Sequence, residues 1–201
     1  MLVKREELID CPVMDLHLVG EVARTVEDVV SPHDLKVLAY LVMGPLVGTE
    51  HGDVLATKDI RELSRLGMII DSEDDLVERD DIIKIKEVLD LDFKLVGMKV
   101  ESKKGSKMGK VIDYTVNTDG FVVQQLIVQR PALKAFLDPE LVIGRSQVVK
   151  ITDKKIIVRD EAEKLLKKSV QDDFIPNFVN PFREPQFSQV RKKNPDELGT
   201  E

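Results

Sequence analysis

The chain has no tryptophan, two tyrosines and a single cysteine in 201 residues. With aromatics at 4% of the sequence, any core must be packed from aliphatic side chains. One thiol, Cys11, excludes an internal disulfide and fits a reducing compartment. No apolar run approaches the roughly 20 residues a helix needs to cross a bilayer. Met1–Glu7 carries a Lys-Arg pair with no apolar stretch behind it, unlike a secretory leader, so the expected location is cytoplasmic. Histidines are few as well. His17, His33 and His51 fall in turn-like segments with no cysteine or acid at metal-ligand spacing, so neither a zinc site nor a catalytic base is expected.

What is present is the composition of a folded protein, 42% hydrophobic and 33% charged. The net charge of −7 conceals an asymmetry. Residues 1–90 hold 10 Lys/Arg against 21 Asp/Glu, residues 91–170 hold 16 against 10, and residues 171–201 hold 4 against 6. The break near residue 90 marks a candidate domain boundary, and halves of opposite sign should attract each other or opposite partners.

An internal repeat organises the chain. Leu8–Val13 lines up with Leu95–Val100 at an offset of 87. Val26-Glu-Asp28 lines up with Val111-Ile-Asp113, and Val42-Met-Gly-Pro45 with Val128-Gln-Arg-Pro131. Ile60, Leu63 and Met68–Ile70 match Val148, Ile151 and Ile156–Val158, so the offset stays between 85 and 88. Each unit reads as short strands. Residues 109–117 alternate, with Ile112, Tyr114 and Val116 on one face, and Asn117-Thr-Asp-Gly120 is a turn before the return strand Phe121–Val128. In the first unit Ser31–Asp34 takes the turn and Leu35–Met43 returns. Helical character is expected only at Arg61–Leu66 and Glu161–Lys168.

The strand Leu35–Met43 is apolar on both faces, with Leu35, Val37, Ala39 and Leu41 on one and Leu38, Tyr40 and Val42 on the other. Such a strand is covered on both sides. Either the core is locally thicker, or Leu38, Tyr40 and Val42 form an interface between the two units or between chains.

The run Gly97-Met-Lys-Val100, Gly105…Met108-Gly-Lys-Val-Ile-Asp113, a hairpin, and then Val148…Ile156-Ile-Val158 resembles the PRC-barrel family. The first unit has Glu27 where Lys110 stands, while Asp59-Ile-Arg61 and Gly67–Asp71 match the second half of the pattern. The resemblance spans roughly residues 8–160. It implies an all-β chain of two tandem small β-barrels, residues 1–90 and 91–168, followed by an irregular Pro- and Phe-containing tail, 169–201. The family supplies the cytoplasmic domain of a photosynthetic reaction-centre subunit and the ribosomal-protein-binding half of a ribosome maturation factor. Similar stand-alone archaeal proteins are associated with cell division. In each setting the barrel contacts protein, and the resemblance carries over no catalytic residue.

Other sequence features bear on chemistry. Asp71-Ser-Glu-Asp-Asp75 lacks the central Gly and the bidentate Glu of a calcium loop and reads as a solvated acidic turn. Gly105-Ser-Lys-Met-Gly109 has no helix behind it to present to a phosphate. Lys103, Lys104, Lys107 and Lys110 form a weak candidate contact for RNA or an acidic partner, without interleaved aromatics to stack bases. The loops Met43–Asp53 and Gln129–Pro139 carry Leu46, Val47, Phe136 and Leu137, which either tuck over the barrel mouth or meet a partner. The tail concentrates Phe174, Phe178, Phe182 and Phe187 among prolines, and either packs along a barrel or orders on a partner.

These features lead us to expect a non-enzymatic adaptor or scaffold that binds protein, with no metal or cofactor and with self-association open. The alternative is a ribosome- or RNA-associated assembly factor.

Overall fold

The computed structural model describes residues 1–45, 47, 52–131 and 139–160. In the N-terminal half the strands are β1 (Leu2–Lys4), β2 (Pro12–Asp15), β3 (Gly20–Val30), β4 (Val37–Met43), β5 (Val54–Ala56), β6 (Glu62–Ser64), β7 (Gly67–Ile70) and β8 (Leu76–Val77). One helix, α1 (Ile83–Asp90), leads into β9 (Lys99–Ser102), β10 (Lys107–Asn117), β11 (Val122–Gln129), β12 (Glu140–Gly144), β13 (Val148–Ile151) and β14 (Lys155–Val158). The protein is mostly β, with two seven-stranded sheets, one of them curled as a half-barrel.

The first sheet runs β6-β7-β2-β3-β4-β5-β8, and the second runs β13-β14-β9-β10-β11-β12 with β1 alongside β10. From β2 to β7 and from β9 to β14 the strand order is the same, including a parallel contact of β2 with β7 and of β9 with β14. Even the irregularities coincide. Val22, Val26 and Leu38 are skipped in the ladders of the first sheet, and Met108, Ile112 and Gln124 are skipped at the same places in the second. Positive φ angles also fall in pairs, at Asp10 and Gly97, Val19 and Gly105, and Leu35 and Phe121.

Those bulges correct the sequence reading in three ways. A bulge sets two residues against one and shifts the phase of the alternation. Ile112 is therefore 38% exposed, and Val111 takes its place in the core beside Tyr114 and Val116. Arg24, not Glu27, occupies the position of Lys110, because Arg24 pairs with Met43 as Lys110 pairs with Gln129. In β4 the skipped Leu38 breaks the two faces expected for that strand. Val37, Tyr40 and Val42 enter the main core, while Leu38, Ala39 and Leu41 face a second cluster.

Helix α1 builds that second cluster. Ile85 and Val88, one turn apart, pack on Val29, Ala39, Val54 and Ala56 and cover the outer face of the first sheet. No helix was expected here, whereas the helix expected at Arg61–Leu66 is instead the hairpin β6–β7, with Glu62 opposite Ile69 and Leu63 opposite Met68. Gly67, at φ +128°, closes that hairpin, and a Cβ there would lie 2.1 Å from the Pro12 carbonyl oxygen. Glu161–Lys168 lies outside the described residues.

The sheets join through equivalent residues. The Val37 amide donates to the Phe121 carbonyl (2.8 Å) and the Val123 amide to the Leu35 carbonyl (2.9 Å), around the bridge Lys36–Val122. Asp28 and Tyr114, also equivalent at an offset of 86, meet directly. A contact between equivalent residues is the mark of a local two-fold relation. Asp28 accepts from the Tyr114 hydroxyl and from Arg5 Nε at 2.5 Å, so the N-terminal segment is tied to both sheets. The Tyr40 ring meets Phe121 edge to face, with centroids 6.4 Å apart. Among charges of opposite halves, Lys94 reaches Glu27 at 3.0 Å; exposed pairs like this one add little.

Candidate functional site

A cleft of 410 Å3 opens on the second sheet where β9, β10 and the end of β11 meet. Its position follows from register. Lys99 on β9 pairs with Lys110 on β10, and Lys110 pairs in turn with Gln129, while Lys107 stands opposite Glu101. Gly109, at φ +144°, makes the close approach possible, because a Cβ there would sit 2.0 Å from the Gln129 carbonyl oxygen. Lys99, Lys107 and Lys110 bring three exposed cations to the rim and the buried Arg130 adds a fourth to the lining, with Glu101 as the one carboxylate among the described residues.

Glu101 is already engaged. Lys155 from β14 donates to it at 2.6 Å, and that contact holds the Glu101 carboxyl below the usual carboxylate range. Among the described residues no carboxylate comes within salt-bridge distance of Lys99, Lys107 or Lys110. Chemically, such a rim suits an extended anion that offers several carboxylates or phosphates in succession.

The same place on the first sheet is different. Pro12, Met14, Glu21 and Met43 stand where the second sheet has Lys99, Glu101, Lys107 and Gln129. The single cation, Arg24, is neutralised locally by Glu21 at 2.8 Å and Asp10 at 3.1 Å. A glycine is kept at this crossing in both sheets but on opposite strands. Gly44 faces Ala23 in the first, and Gly109 faces Arg130 in the second.

Of the four lysines singled out from sequence, Lys107 and Lys110 line the cleft. Lys103 and Lys104 do not. They sit exposed in the β9–β10 turn, where the Lys103 amide donates to the Val158 carbonyl and the Lys104 amide to Asp160. Sequence reading missed Lys99 and Arg130, which arrive from neighbouring strands. Their only trace in the sequence was the excess of basic residues after residue 90.

Tyr40 and Val42 are buried in the main core, Tyr40 at the junction of the sheets, and Leu38 is half-buried under α1 on the other face. Val47 packs against the main core. Leu46, Phe136, Leu137, Phe174, Phe178, Phe182 and Phe187 lie outside the described residues. The Asp71–Asp75 turn spends its acids locally. Asp75 accepts from the Asp71 and Ser72 amides, and Asp15 accepts from the Glu73 amide at 2.6 Å. After Gly105–Gly109 the chain continues as strand β10. Cys11 is buried, and that burial pushes its thiol pKa up, away from reactivity. Among the described residues no three His, Cys, Asp or Glu side chains gather as a metal set, and no helix is long and apolar enough to cross a membrane.

No family model and no curated protein matches the chain.

Proposed function

We propose that the chain is a tandem PRC-barrel protein that works as a non-enzymatic, protein-binding adaptor in a cytoplasm-type compartment. Its second unit binds an acidic segment of the partner in the Lys99–Lys107–Lys110–Arg130 cleft. The observation that carries this reading is the unequal treatment of one site in two copies of one scaffold. The first copy neutralises its lone arginine with Glu21 and Asp10, whereas the second gathers cations and leaves three lysines without a carboxylate partner among the described residues. Uncompensated like charge at one place costs a fold some stability, and a ligand of opposite sign offsets that cost.

Affinity capture with the full chain from its native cell, read by mass spectrometry, tests the proposal. One discrete protein should be retained, released by raising salt, and lost with the double variant Lys107→Glu/Lys110→Glu. Both positions are exposed, so the variant should keep its fold. Undiminished capture by the charge-reversed chain overturns the role of the cleft.

A second reading, a ribosome- or RNA-associated factor, is favoured by the same lysines, since phosphates would fit the rim equally well. Nuclease-sensitive retention of RNA that disappears in the double variant would replace the first reading by the second.

A further inference from the structure

The cleft in the second unit is the centre of a wider basic face. Residues paired in register point to the same side of a sheet. One row across the strands aligns Lys155, Lys99 and Lys110. The next row runs from Lys150, through Ile157, to Glu101 and Lys107. Glu101, the carboxylate among these lysines, is taken by Lys155. Glu140 lies two strands beyond Lys110, past Gln129.

The outer edge of the first unit has the opposite sign. Residues 71–81 carry seven carboxylates against one guanidinium. That guanidinium is turned away, with Arg79 Nε donating to Asp53 at 2.8 Å. Arg61 reaches Asp71 at 2.6 Å and Lys86 reaches Asp80 at 2.7 Å, which still leaves a surplus of negative charge. Leu76 and Val77 fasten the segment to β5, and Leu76 is buried. Glu78, Asp80 and Asp81 follow at once and are exposed.

Both surfaces are fixed by strand ladders, in different sheets. Among the described residues no ion pair joins them, so their charges are not cancelled against each other within one chain.

We propose that residues 71–81 of a second copy of this chain occupy the basic face around Lys99, Lys107 and Lys110. The inference rests on the reading of the cleft as an acid-binding site and names one occupant for it. Edge and cleft are different surfaces, so the contact is heterologous and copies add head to tail. Each copy offers its edge to one neighbour and its cleft to another. Held by exposed charges, the contact is weak and salt-sensitive. Self-association and partner capture then compete for the same lysines.

Sedimentation velocity of the full chain, from about 10 μM to about 1 mM, reads the association. In about 50 mM salt the mean mass should grow with concentration, and about 500 mM salt should weaken the association at least about tenfold. Two variants remove one surface each: Lys107→Glu/Lys110→Glu the cleft, and Glu78→Lys/Asp80→Lys the edge. All four positions are exposed, so both variants should fold. Each alone should stay monomeric. Mixed in equal amounts they should form a complex of two chains and no larger, because each supplies the surface the other has lost. A wild type that stays monomeric in low salt, association indifferent to either reversal, or variants that do not combine on mixing would each overturn the inference. A monomeric chain whose capture of another protein still needs Lys107 and Lys110 removes the inference and leaves the reading of the cleft intact. Association and capture both indifferent to Lys107→Glu/Lys110→Glu remove the two together.

Discussion

The two sheets share strand order, bulges and positive-φ positions, yet they are finished differently. The first carries α1 across its outer face, β8 on its edge and a self-neutralised arginine at the crossing of β3 and β4. At the corresponding places the second presents Gln125, Val142 and a ring of lysines. The shared features are those that backbone geometry demands, because a misplaced bulge would rotate every following side chain to the wrong face. The differing features lie on surfaces, where geometry is permissive. One scaffold thus serves two ends: the first unit buries its surfaces internally, and the second keeps its cations at a cleft.

The junction is where the comparison breaks hardest. Asp28 is 8% exposed on its side chain and is shared by Arg5 and Tyr114. Asp28→Ala leaves the guanidinium and the phenol without their acceptor and should cost about 3–5 kcal/mol, the range for removing one partner of a buried pair. Urea denaturation of the variant against wild type measures it. A loss under about 1 kcal/mol would mean that the sheets are held by apolar contact alone.

The cover of the first sheet comes next. Ile85→Ala removes a 3%-exposed side chain from α1 and should cost about 2–4 kcal/mol. Hydrogen exchange should show the loosening concentrated in β4 and β5, with β11 and β12 little affected. Equal loosening of both sheets would show that they fold as one cooperative unit.

A smaller effect concerns the crossing that each unit solves with one glycine. Gly44→Ala and Gly109→Ala should each cost about 1–3 kcal/mol through overpacking, read as lowered melting temperatures. Gly109→Ala carries the added strain of φ +144°, so it should be the worse of the two. The reverse order would break the claimed equivalence of the two crossings.

Much of this was legible in the sequence for a physical reason. Apolar spacing and turn residues recur in both units because the core between the strands and its hairpins tolerate little else, so Leu8, Val13, Leu95 and Val100 were found in register. The phase of β4 and β10 was misread because Leu38 and Ile112 look like ordinary strand residues, and nothing local announces a bulge. Helix α1 was invisible for a related reason. Ile83 and Ile85 alternate like a strand, and Ile82 at its N-terminus offers no side-chain cap, so only packing against the sheet selects the helix. Arg61–Leu66 erred the other way, good helix formers drawn into a hairpin by the pairing with Met68 and Ile69. Half of the cleft escaped because Lys99 and Arg130 are brought to Lys107 and Lys110 by the ladder, not by sequence proximity.

The smallest effect sharpens the comparison of the tyrosines, both of which are buried. Burial foremost, then the nearby Asp28, raises both phenol pKa values well above the usual range. Below about pH 10 both states keep these protons, so the tyrosines give no pH dependence there. Above it the unfolded chain ionises and the native one does not, so stability falls as pH rises. Tyr40 has no hydrogen-bond partner for its hydroxyl among the described residues, whereas Tyr114 donates to Asp28. Tyr40→Phe should therefore be neutral to stabilising by up to about 1 kcal/mol at pH 7, and should remove one of the two alkaline contributions. Tyr114→Phe should remove the other but lower stability at pH 7. Chemical denaturation between pH 7 and 11 distinguishes them.

Two copies of one sheet strand order meet through their equivalent turn segments within one chain. Lys36 and Val122 form a bridge flanked by the reciprocal bonds Val37–Phe121 and Val123–Leu35, which makes them a non-hydrogen-bonded pair with Cα atoms about 4.5 Å apart, within disulfide reach. The full-chain variant Lys36→Cys/Val122→Cys, oxidised at low protein concentration and assayed for size and free thiol, tests it directly. The expected product is a cross-linked monomer in which Cys11 is the one remaining thiol. Three free thiols, or cross-linking only between chains, would contradict it.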